Sequence, residues 1–85
     1  ILTKYESGQK KTKGYLKEGK RDGLYTEWYE NGQKKLEGTW KDGKPNGLIT
    51  DWYENGQKES ESTYKDGELI SEKRWDEDGN ETECD

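Results

Sequence analysis

The sequence contains no histidine, no phenylalanine and no methionine, and it has a single cysteine. Without histidine, Ser-His and Cys-His nucleophile pairs cannot be built. Zinc sites of the usual Cys/His kind go with them. The lone thiol, Cys84, cannot form an internal disulfide framework. It reads as an inert thiol on a terminal strand, with a regulatory or intermolecular disulfide as the alternative. Apolar residues make up 24% of the 85-residue chain, against the near-half usual in globular domains. A thick two-layer core is therefore excluded. No stretch approaches the roughly 18 consecutive apolar residues of a transmembrane helix, so no membrane insertion is expected.

Charge and aromatic rings are what the chain does have. Charged residues are 41%, the net charge is −5, and there are six Tyr and four Trp. Nucleic-acid binders carry a basic footprint, and anionic lipid surfaces attract basic segments. The acidic balance disfavours both and fits a basic or a neutral partner better. Low hydrophobicity alone would suggest disorder, but the order in which the aromatics recur argues against it.

That order is a repeat. Tyr5-Glu6-Ser7-Gly8-Gln9-Lys10 returns as Tyr29-Glu30-Asn31-Gly32-Gln33-Lys34 and as Tyr53-Glu54-Asn55-Gly56-Gln57-Lys58, a period of 24. Lys17-Glu18-Gly19, Lys41-Asp42-Gly43 and Lys65-Asp66-Gly67 keep the same period. A fourth copy, Trp75-Asp76-Glu77-Asp78-Gly79, arrives one residue early. The expected organisation is one array over 1–85: a partial repeat near 1–22, full repeats near 23–46 and 47–70, and a degenerate cap near 71–85.

Each repeat reads as a β-hairpin. Asn31-Gly32 and Asn55-Gly56 are signals for two-residue type I′ turns, which need φ > 0 at both positions. The stretch Lys41 to Gly47 contains Gly43, Pro45 and Gly47 and reads as a longer turn. Alternating tight and longer turns give an all-β, single-layer antiparallel meander of tandem hairpins. Strands are expected near 1–6, 9–17, 24–30, 33–41, 48–54, 57–65, 69–77 and 80–84.

The turns set the register, and the register sorts side chains by face. One face is expected to carry Tyr25, Tyr29, Leu36, Trp40, Ile49, Tyr53 and Tyr64. The other carries Leu24, Trp28, Leu48 and Trp52, interleaved with Lys35, Glu37, Glu59 and Glu61. A large residue faces a small one in each repeat: Ile1 over Gly14, Tyr25 over Gly38, Ile49 over Ser62. This is the pattern of a ring or branched chain covering a strand glycine. With no second sheet to cover the rings, ring-on-ring contacts between adjacent repeats are expected to hold the array. Acidic residues on the last strand discourage edge pairing. The stretch Ile1 to Tyr5 lacks that protection, so the natural protein is expected to continue before it, and this edge to self-associate when exposed.

Tyr-Glu-Asn-Gly-Gln-Lys, then Gly-Thr-Trp-Lys-Asp-Gly-Lys, then Gly-Leu-x-Thr-x-Trp resembles the MORN repeat. It resembles most closely the MORN-variant repeat of bacterial proteins, including those called YwqK-family antitoxins. The resemblance implies a hairpin array serving as a binding or scaffolding surface. The antitoxin label implies neutralisation of a toxin by direct contact.

No catalytic constellation and no cofactor site emerge. The glycines recur at turns, not between a strand and a helix, so no phosphate loop is indicated. Asp76-Glu77-Asp78-Gly79-Asn80-Glu81 is short for a calcium loop, with glycine fourth instead of sixth. It reads as a turn in an acidic cap. The plain structural reading of the aromatics is that they pack on one another. The functional reading is a docking platform, since exposed apolar patches mark interaction sites and Trp and Tyr are favoured anchors. The candidate partner-binding residues are Trp28, Trp52, Trp75, Leu24 and Leu48. A protein partner, a toxin included, is the first expectation. Carbohydrate or cell-wall binding and pure scaffolding stay open beside it, as do cytoplasmic and exported locations.

Overall fold

The computed structural model describes residues 1–82; Cys84 lies outside the described residues. Ten strands form: β1 (Leu2–Lys4), β2 (Lys10–Lys13), β3 (Leu16–Lys17), β4 (Lys20–Arg21), β5 (Gly23–Trp28), β6 (Lys34–Lys41), β7 (Lys44–Trp52), β8 (Lys58–Lys65), β9 (Glu68–Trp75) and β10 (Glu81–Thr82). Eight of them make one antiparallel sheet in the order β1-β2-β5-β6-β7-β8-β9-β10. The short β3–β4 ladder is the outer half of the hairpin whose inner half is β2–β5. The result is the single-layer meander expected from the repeats, a slab of 38 × 35 × 14 Å.

The turns are the reverse of the expectation. In the Asn-Gly turns, Gly32 N donates to Tyr29 O at 3.0 Å, and Tyr29 N donates to Gln33 O at 2.8 Å. Gly32 has φ 89°, whereas Asn31 is not among the residues with positive φ. This is a three-residue loop, a type I turn followed by a left-handed glycine. Asn31 Oδ1 supports it by accepting from Gln33 N at 2.9 Å. The two-residue type I′ turns are instead Glu18-Gly19, Asp42-Gly43 and Asp66-Gly67, where both residues have positive φ. The expected long turn after Lys41 therefore does not exist. Lys41 pairs with Lys44, Trp40 pairs with Pro45, and β7 runs straight through the proline. Pro45 is tolerated because β8 pairs with β7 only from Gly47 onward, so at Pro45 the strand is an edge.

The period is explained by bulges. Between Gly38 and Trp40, β7 carries extra residues around Gly47 (φ 94°). The β8–β9 ladder has a smaller register shift, which is why Trp75 comes one residue early. Gly67, with φ 87°, also lies where an added Cβ would meet Lys44 Cδ at 3.1 Å. Gly67→Ala is expected to cost about 1–2 kcal/mol, the penalty for a left-handed L-residue, read as a shift in the urea midpoint with unchanged slope.

Little is buried. Tyr25 and Ile49 are the only buried apolar side chains among the described residues. The ring-on-ring expectation is also corrected. The one ring pair found among them, Tyr25–Trp40 at 5.4 Å, lies within a hairpin. Successive tryptophans are two strands apart, about 9–10 Å, beyond ring contact. Hydrogen bonds stitch the repeats instead. Tyr5, Tyr29 and Tyr53 Oη donate to the carbonyls of Trp28, Trp52 and Trp75 at 2.8, 2.7 and 2.9 Å. Asn31 and Asn55 Nδ2 donate to Glu54 O and Glu77 O, both at 2.9 Å.

Candidate functional site

Leu24, Thr26 and Trp28 alternate along β5 and line one groove together. Leu48, Thr50 and Trp52 repeat the arrangement on β7. In β9 Trp75 keeps the tryptophan position, but Ser71 stands in the leucine row opposite Thr63. The five candidate residues therefore share one face as two rows. Trp28, Trp52 and Trp75 form the first, at one end of alternate strands, and are half-buried. Leu24 and Leu48 form the second, about four residues or ~13 Å away, and are 50% and 52% exposed. Between the rows, Thr26 and Thr50 are buried.

Each of these three tryptophans has a lysine against its ring. Lys10 Nζ lies 4.8 Å from the Trp28 centroid, and Lys34 and Lys58 Nζ each lie 5.9 Å from Trp52 and Trp75. Such contacts contribute about 0.5–1 kcal/mol at exposed sites. Lys34 and Lys58 also pair with Glu37 and Glu61 at 2.9 Å, and Thr26 Oγ1 donates to Glu37 Oε2 at 3.2 Å. These lysines were missed from the sequence, although each is the sixth residue of the repeated Tyr-Glu-x-Gly-Gln-Lys. The expected Lys35 and Glu59 are not on this face. Lys35 Nζ lies over the Tyr29 ring at 5.6 Å, and Glu59 is 3.9 Å from Arg74. The three-residue loop inserts a bulge that pairs Trp28 with Lys34 instead of Lys35.

The opposite face holds a polar row and a stacked corner. Ser60 Oγ donates to Asp51 Oδ2 at 2.9 Å. Burial pushes the Asp51 carboxyl above its usual range, against the Ser60 hydrogen bond and helped by the Glu27 charge. The Arg21 guanidinium lies 4.1 Å from the Tyr25 ring and 5.7 Å from Trp40. At the acidic end, Asp76 Oδ1 accepts from Asp78 N and Asn80 N at 3.0 and 2.9 Å. Those hydrogen bonds, that of Asn80 first, hold its carboxyl below the ordinary value. The side chain is thus occupied in closing its own turn.

The class defined by this geometry is an open array of tandem β-hairpins whose side chains recur in rows on an uncovered sheet. Within it, the chain belongs to the MORN repeat variant family, whose pattern matches residues 21–42 and 45–66. The two matches begin 24 residues apart, the period of the tyrosine and tryptophan rows. No curated protein and no solved structure shows significant similarity to the chain. MORN repeats in general mediate protein or membrane interactions, and the family is generally non-catalytic.

Proposed function

We propose that this chain is a non-catalytic docking module that presents the Trp28–Trp52–Trp75 face, with Leu24 and Leu48, to a protein partner. The observation that carries the reading is the pair of half-exposed leucines. Both large apolar side chains are held in register on a hydrogen-bonded sheet and are left half uncovered. Exposed apolar patches flanked by aromatic anchors are where interface energy concentrates. An antitoxin role, with a toxin as that partner, is the special case suggested by the sequence pattern.

The glycan reading is less favoured by the same geometry. A sugar ring stacking on these tryptophans would have to displace the lysine at each ring. Glycan binding would quench tryptophan fluorescence with little salt dependence.

The test is affinity capture from the source cell's lysate by the wild-type chain and by Leu24→Asp/Leu48→Asp. Exposed substitutions usually change stability by no more than about 0.5 kcal/mol, so the variant should stay folded by circular dichroism. One stoichiometric protein captured by wild type should bind the variant at least about 30-fold more weakly, as for two lost anchors of at least 1 kcal/mol each. Equal binding by both would remove this face from the partner site.

A further inference from the structure

The net charge of −5 hides a gradient along the array. Residues 1–22 carry seven Lys/Arg and three Asp/Glu; residues 23–46 carry four of each. Residues 47–70 carry two basic and six acidic residues, and residues 71–85 carry two and seven. Because strands follow one another across the sheet almost in chain order, one side of the slab is basic and the opposite side acidic.

The basic side has a formed groove of about 250 Å³ on the tryptophan face, bordered by Lys10, Lys13, Leu24, Trp28 and Lys34, with Glu37 as its one carboxylate. Its charge differs from the later repeats for a local reason. Lys34 and Lys58 are neutralised by Glu37 and Glu61, three residues on. At the corresponding distance from Lys10 stands Lys13. Neither Lys10 nor Lys13 has an ion-pair partner among the described residues. The acidic side offers the complementary charge on an ordered turn. The turn Asp76–Asn80 is fixed by hydrogen bonds to the Asp76 carboxylate, and Glu77, Asp78 and Glu81 project from it exposed. A turn ordered in advance loses little entropy on docking.

From this we infer that the Lys10/Lys13/Trp28 groove of one copy binds the acidic turn around Asp78 and Glu81 of a second copy. The contact within one chain is ruled out by distance, since β10 lies five strands from β5, about 24 Å. It is a contact of groove with turn, distinct from pairing of the β1 edge. It rests on the tryptophan face being a docking surface, yet it fails apart from that reading, because a chain that remains monomeric can still lose a captured protein through Leu24→Asp/Leu48→Asp.

The experiment is sedimentation of the full chain at low and high salt. In about 10 mM salt, where the screening length is roughly 30 Å, wild type should self-associate; at about 1 M, where it is roughly 3 Å, the association constant should fall tenfold or more. Lys10→Glu/Lys13→Glu should be monomeric at low salt, and so should Asp78→Lys/Glu81→Lys, each with wild-type circular dichroism. An equimolar mixture of the two variants should associate again, since each then carries the charge the other requires. A wild type that is monomeric at low salt, or association indifferent to salt, would overturn the inference without any variant. A mixture that stays monomeric would overturn it too. A monomeric wild type that binds poly-glutamate through Lys10 and Lys13 would assign the groove to a foreign acidic segment and overturn the second copy as its occupant.

Discussion

Gly38→Ala is expected to destabilise the protein by about 2 kcal/mol, within the range for overpacked sites. Two effects oppose each other here. Alanine in a strand is ordinarily better than glycine by roughly 0.5–1 kcal/mol, because less chain entropy is lost. Against that, a Cβ at Gly38 would stand 2.7 Å from Ile49 Cγ1 and 3.2 Å from Ile49 Cα. Ile49 is 7% exposed, is branched at Cβ and stiff at χ1, and is paired with Gly38 on one side and Ser62 on the other. It cannot swing aside, so the steric cost wins. For a domain of this size about 2 kcal/mol corresponds to roughly 8–16 °C in Tm. Gly14→Ala is the comparison. Its Cβ would meet Tyr25 Cδ1 at 2.7 Å but no backbone atom within 4 Å among its three nearest neighbours, unlike Gly38 against Ile49 Cα, so the loss should be smaller. Ile49→Ala should cost less in the Gly38→Ala background than in wild type, because it also relieves the clash. A Gly38→Ala protein as stable as wild type by thermal and urea unfolding would refute the packing account.

The same glycine shows what the sequence displays and what it conceals. The register pairs Tyr25–Gly38 and Ile49–Ser62 were legible, because a hairpin turn and side-chain alternation determine them together, and both are present in the structure. The close approach, however, comes from the next hairpin: Ile49 crowds Gly38, and Tyr25 crowds Gly14. Each small residue makes room for its neighbour in the following repeat. The turns were misread because Asn-Gly serves two geometries. Both need a left-handed glycine, and only one needs a left-handed asparagine. The three-residue form occurs here, with Asn31 keeping ordinary φ and using its side chain to bind Gln33 N. Asp42-Gly43 carried an equally good type I′ signal, masked by Pro45, whose position at an unpaired part of β7 sequence spacing does not reveal.

At the candidate site, the shared face of Trp28, Trp52, Leu24 and Leu48 followed from period-two alternation, which the bulges leave intact on β5 and β7. Bulges on the partner strands are what moved Lys34 in and Lys35 out. The basic groove was hidden for a different reason. A chain-wide net charge averages over a fold in which chain order is nearly spatial order, so opposite ends cancel on paper while remaining far apart in the sheet.

Raising the pH above about 10 is expected to unfold the array, with tyrosine ionisation as the cause. Tyr29 Oη donates to Trp52 O at 2.7 Å, and Tyr53 Oη to Trp75 O at 2.9 Å, each tying one repeat to the next. Tyr25 Oη donates to Glu27 Oε2 at 2.7 Å. All three phenols are pushed above their ordinary value of 10.0, in each case first by removal from water. The Glu59 charge adds to this at Tyr29 and Tyr53, and Glu27 adds to it at Tyr25. A raised pKa means that the folded chain holds these protons more tightly than the unfolded chain. Their contribution is therefore complete below pH 10 and is lost as the pH climbs through the folded-state values. A phenolate cannot donate, so ionisation of Tyr29 and Tyr53 would set a negative oxygen against a carbonyl at each of these two seams. The slab has only two buried apolar side chains among its described residues and so has little else to hold the repeats together. Tyr29→Phe separates the causes. It should cost about 1 kcal/mol at neutral pH for the lost hydrogen bond while making the alkaline fall in stability shallower than in wild type. Urea midpoints across the alkaline range, followed with tyrosinate absorbance, would decide it. Midpoints that hold steady while the tyrosines ionise would show that the seams do not depend on these protons.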